Sequence, residues 1–139
     1  MIGKDNLFHF DEPNNYFCLV VNYFLDLPQL VIEVRKLDSP EFRPDSYIIF
    51  TDIEYFEGPL KWIGANFSMG AQKELEKMMN KIKAWPDNST RTHPMLTFGD
   101  EDLFLKSHNL YETKSLRGTL IRIVAAGASK YPEWPFPIP

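Results

Sequence analysis

Two hydrophobic patterns follow one another near the start of this chain. From Tyr16 to Leu25 nearly every position is apolar. Phe17, Leu19, Val21 and Tyr23 fall on one side of an extended chain, and Tyr16, Cys18, Val20 and Phe24 on the other. A strand covered on both faces reads this way. The β-branched and aromatic content, with Pro28 close behind, favours a strand over a buried helix. From Leu30 to Leu37 the pattern becomes an alternation, with Leu30, Ile32 and Val34 inward and Glu33 and Arg35 outward. That is the signature of a half-exposed antiparallel strand.

The segment Tyr47–Phe67 predicts a hairpin. Tyr47, Ile49, Thr51, Ile53 and Tyr55 share one side, and Ile48, Phe50, Asp52, Glu54 and Phe56 the other. Gly58 supplies unusual dihedrals and Pro59 cannot donate to a ladder, so the reversal belongs at Glu57–Leu60. In that register Tyr55 faces Trp62, an aromatic cross-strand pair that pins the alignment. Gly64 then lies opposite Ile53 and marks a bend or a close approach of another backbone.

Helical period appears once. Ala71, Leu75, Met78, Met79 and Ile82 recur on one face, with Lys73, Glu76, Lys77 and Lys81 opposite. The spacing predicts one helix over about 69–84, with Ser68 as its N-cap and Pro86 as its stop. Beyond a polar loop, short strands are expected at Met95–Phe98, Leu103–Tyr111 and Thr119–Ala126, with a turn at Ser115–Gly118. The tail at 131–139 carries four prolines and cannot form a ladder strand.

About seven strands and one helix predict a mainly β fold, an antiparallel β-sandwich or partly open barrel with the helix packed on it. The length of 139 residues suits one domain spanning 1–139 with a Pro-rich tail. Eleven Phe, six Tyr and three Trp can fill the core of such a sandwich.

A net charge of −4 and the lack of basic runs interleaved with aromatics argue against nucleic acid and against an anionic membrane surface. The same charge favours a basic protein partner. The N-terminal residues lack the apolar core of a signal peptide, and the single Cys18 cannot form an internal disulfide. A soluble, cytoplasmic protein is expected. Two copies would meet through a sheet edge or the C-terminal tail.

The candidate chemistry is sparse. Asp52 and Glu54 lie on one strand face between Phe50 and Phe56, where apolar neighbours raise carboxyl pKa values. Paired carboxylates serve acid–base chemistry, so a small hydrolase or isomerase using this pair in an aromatic cleft is one reading. With Tyr55 and Trp62, the pair makes the candidate ligand-binding set. Tyr55 and Trp62 at the mouth of a barrel would suit a small apolar ligand. His9, His93 and His108 have no metal-ligand spacing, and no nucleophile elbow or phosphate-cradling glycine loop is present. No cofactor or metal is expected. The reading that best fits is a non-catalytic binding or regulatory module of the protein-interaction, immunity or adaptor type.

Overall fold

The computed structural model of the chain describes residues 5–24, 29–41, 43–83 and 101–135. Among these, nine strands build two antiparallel sheets. The first contains β1 (Tyr16–Phe24), β2 (Gln29–Lys36), β3 (Pro44–Thr51), β5 (Lys61–Ile63) and β9 (Gly127–Tyr131), in the order β5-β1-β2-β3-β9. The second contains β4 (Tyr55–Glu57), β6 (Ser68–Met69), β7 (Asn109–Lys114) and β8 (Leu120–Ala125), in the order β4-β8-β7-β6. Two α-helices, α1 (Gln72–Lys83) and α2 (Glu101–Ser107), and a single 3-10 turn at Pro13–Asn15 complete the described elements. No helix among the described residues is long and apolar enough to cross a membrane.

The sandwich core lies between the sheets. Cys18, Leu30, Ile32, Val34, Ile48 and Phe50 from the first sheet meet Tyr111, Ile121, Ile123 and Ala125 from the second. Leu30, Ile32 and Val34 thus point inward as their alternation predicts. The opposite face of the second sheet, with Tyr55, Leu110 and Val124, is covered by Leu75, Met78, Met79 and Ile82 of α1 and Phe104 of α2. The result is a β-sandwich with a helical layer on one side.

The predicted hairpin does not form. Tyr55 pairs with Val124 in the second sheet, and Trp62 pairs with Cys18 in the first. The Glu57–Leu60 loop therefore carries the chain between sheets. The alternation also breaks earlier, at Asp52, whose φ of 49° is left-handed. Asp tolerates that conformation better than most side chains. Beyond the break Ile53 joins the sandwich core with Phe50. A matching corner occurs at Ala126, whose N–H donates to Thr51 O at 2.9 Å. The paired segments β3–β4 and β9–β8 thus change sheet side by side.

Three other expectations need adjustment. Leu103–Ser107 is helical, and only Asn109–Lys114 of that region is strand. His108 N–H donates to Phe104 O at 3.0 Å, and the two rings stack at 4.2 Å, an i, i+4 contact that a strand does not make. Ser68 belongs to β6, and in the first turn of the helix the N–H groups of Glu74 and Leu75 donate to Ala71 O. Gly127–Tyr131 forms a ladder with β3, although its small residues have weak strand propensity. Tyr131, the first residue of the predicted proline-rich tail, is the last of that strand. Beyond it, Trp134 packs edge-on against Tyr47, with centroids 5.3 Å apart. The strand expected at Met95–Phe98 and the stop at Pro86 lie outside the described residues.

Candidate functional site

The four residues singled out from sequence are dispersed by the fold. Asp52 is exposed at the corner that ends β3, whereas Glu54 is 4% exposed and its N–H donates to Val124 O at 2.8 Å. The left-handed residue between the strands removes the common face on which the pair was expected. Tyr55 is buried on the helical side. Its hydroxyl donates to Glu57 Oε1 at 2.5 Å, and Lys81 Nζ reaches the same oxygen at 2.8 Å. The bonds from Lys81 and Tyr55 hold the Glu57 carboxyl below its ordinary pKa. Burial, then the bond to Glu57, pushes Tyr55 up.

Trp62 reaches a concave surface. An open groove of about 550 Å³ runs beside β5, the edge strand of the first sheet. Its near wall is Phe17, Lys61, Trp62 and Ile63, with Pro59 at one end. Its far wall is the turn from Ser115 to Thr119 that joins β7 to β8. The turn is tightly built. Ser115 N–H donates to Thr119 O at 2.8 Å, Gly118 N–H to Ser115 O at 2.9 Å, and Thr119 N–H to Ser115 Oγ at 3.0 Å. Leu116 N–H donates to Ile63 O at 2.9 Å and ties the turn to β5.

Gly64 sets the spacing between the walls. Its φ is 128°, and a Cβ there would lie 3.1 Å from Lys114 O. The close approach of another backbone anticipated at this glycine is present, with Lys114 rather than Ile53 as the neighbour. Gly64 O also accepts from Trp62 Nε1 at 2.8 Å, and Cys18 Sγ lies 3.5 Å away. These contacts fix the largely buried indole at the near wall, where it also packs into the sandwich core.

The chemistry of the groove is cationic and apolar. Lys61 and Arg117 are exposed on opposite walls, and the described lining residues include no carboxylate. Neither cation is in an ion pair among the described residues. Leu116 is 59% exposed, and Leu60 and Leu120, each next to a lining residue, are 67% and 38% exposed. The Ser115 hydroxyl is already used within its turn, with no histidine or carboxylate among the described lining residues to activate it. Burial pushes the Cys18 thiol well above its ordinary range.

Sequence reasoning placed Trp62 at a site but missed Phe17, Lys61, Leu116 and Arg117. The one available signal was Leu116–Arg117, an apolar and a cationic residue at the tip of a turn. No protein-family model, curated protein or solved structure matches the chain.

Proposed function

We propose that this protein is a non-catalytic binding module that takes an acidic, partly apolar segment of a partner protein into the groove beside β5. One observation carries the reading. In a chain of net charge −4, the groove presents Lys61 and Arg117 beside Phe17 and Trp62, with no acid among the described lining residues. Such a surface complements carboxylates on a partly apolar ligand. Its sign is opposite to the chain's overall charge, so a basic partner drawn by that overall charge would dock elsewhere.

The exposed leucines favour a macromolecular partner. Apolar side chains gathered at the rim of a concave surface are a feature of interaction sites. The groove's volume also falls in the range of small-molecule sites, which supports the apolar-ligand reading with Trp62 at the mouth. A single buried thiol fits a reducing compartment, so the partner is sought in the cytoplasm.

Anilinonaphthalene sulfonate, an aromatic anion, is a suitable probe. We expect saturable one-to-one binding, weakened about tenfold or more in the double variant Lys61→Glu, Arg117→Glu. Each tenfold loss corresponds to about 1.4 kcal/mol. Binding that is non-saturable, or unchanged by the double charge reversal, refutes the reading.

A further inference from the structure

We infer that the groove captures its partner as an added β-strand, a short extended segment with an acidic side chain opposite Lys61. This rests on the binding reading above and adds the mode of recognition.

The direction of the backbone groups carries the inference. In an antiparallel ladder, successive residues alternate between bonding the neighbouring strand and pointing away from it. Val20 N–H donates to Leu60 O at 2.8 Å, and Gly64 N–H to Tyr16 O at 2.9 Å. Leu60, Trp62 and Gly64 are therefore the positions that bond β1. Lys61 and Ile63 direct their N–H and C=O groups outward, away from the sheet. The bond that Ile63 O accepts from Leu116 N–H confirms this orientation, because Leu116 lies in the turn beyond the edge. Among the described residues, nothing meets the outward N–H and C=O of Lys61.

An edge with unpaired backbone groups is a template for another strand. Proteins blunt such edges with covering loops, prolines or charges. Here the turn covers only Ile63 O, and Pro59 closes the other end. Between them the Lys61 rung stays open to the groove. A residue paired there exchanges both backbone bonds with Lys61, and its side chain lies about 5 Å from that of Lys61 on the same face. That position suits a glutamate or aspartate. The residues on either side of it turn toward Trp62 and suit apolar side chains. The ladder is short, because Ile63 O is already taken, so side chains contribute much of the affinity.

The test uses a six-residue peptide alternating valine and glutamate, and two N-methylated forms. One is methylated on every glutamate nitrogen, the other on every valine nitrogen. The side chains are unchanged in both. Titrations into the full chain are followed by Trp fluorescence and amide hydrogen exchange. We expect the glutamate-methylated peptide to bind at least tenfold more weakly than the parent, and the valine-methylated one to bind within about threefold of it. We also expect the Lys61 amide to exchange quickly in the free protein and at least tenfold more slowly with parent peptide.

Equal effects of the two methylations, or an unchanged Lys61 amide, overturn the strand mode. If no peptide binds while the naphthalene sulfonate still requires Lys61 and Arg117, strand capture fails and the groove reading stands. If the sulfonate is also indifferent to the charge reversals, both fail.

Discussion

Replacing Gly64 by alanine tests how the groove is held. The backbone φ of 128° lies where L side chains are rarely found, and the added Cβ would meet Lys114 O at 3.1 Å. Backbone strain of this kind costs about 1–3 kcal/mol. Relieving the contact moves β5 from the Ser115–Thr119 turn, which weakens the Leu116–Ile63 bond at a cost of about 1 kcal/mol. Reduced freedom of the unfolded chain offsets about 0.4–1 kcal/mol of this. The net expectation is a loss of about 2 kcal/mol. Urea unfolding followed by circular dichroism reads it as a midpoint lowered by about 1 M, at an m-value of about 2 kcal/mol/M. Gly118→Ala is the control. Its φ is also positive, at 88°, but among the described residues the added Cβ would come within 4 Å only of the flexible end of Lys114, at 3.9 Å. It carries the backbone term without the contact, so it should cost less than Gly64→Ala. A Gly64→Ala stability within about 0.5 kcal/mol of the parent, or equal to that of Gly118→Ala, refutes the claim that Gly64 sets the spacing between the walls.

Two further outcomes follow from the helical side. Phe104→Ala removes a fully buried ring from between α2 and the second sheet, and should cost about 3–5 kcal/mol in urea unfolding; a cost below about 1 kcal/mol contradicts the placement of α2. The Glu57 carboxyl has a lowered folded pKa, so its contribution is present above the unfolded value and lost as pH falls through the lowered one. Because the Glu57–Lys81 pair is partly solvent-exposed, solvent screening keeps the contribution small. Melting temperature measured below about pH 4.5 should fall slightly less steeply in Lys81→Met than in the parent, and identical slopes would show that the pair contributes nothing.

The parts of the fold that were legible in sequence are those with local causes. The 2-residue period of Leu30–Leu37 marked β2 and its inward face. The 3.6-residue period of Leu75, Met78, Met79 and Ile82 marked α1. The turn at Ser115–Gly118 was visible from its serine and its glycine. The helix α2 was hidden because Leu103-Phe-Leu105 is too short an apolar run to separate a helix from a strand. Strand β9 was hidden because Gly127, Ala128 and Ser129 carry little side chain to show a period.

The sequence by itself determined that this chain is mainly β, with apolar strand faces suited to a sandwich or a partly open barrel, and that one amphipathic helix needs a sheet to cover. Those features follow from periodicity, which acts between residues a few positions apart. The tertiary structure decided which strands pair. Tyr55 and Trp62 looked like partners across a turn, yet the left-handed backbone at Asp52 and the burial of both faces of the second sheet sent them to different sheets. The groove was decided the same way. Lys61 and Arg117 are 56 residues apart in sequence, and they share a cleft only because Gly64 lets the backbone of Lys114 approach β5. No local pattern encodes such an approach, because it depends on where two sheets meet.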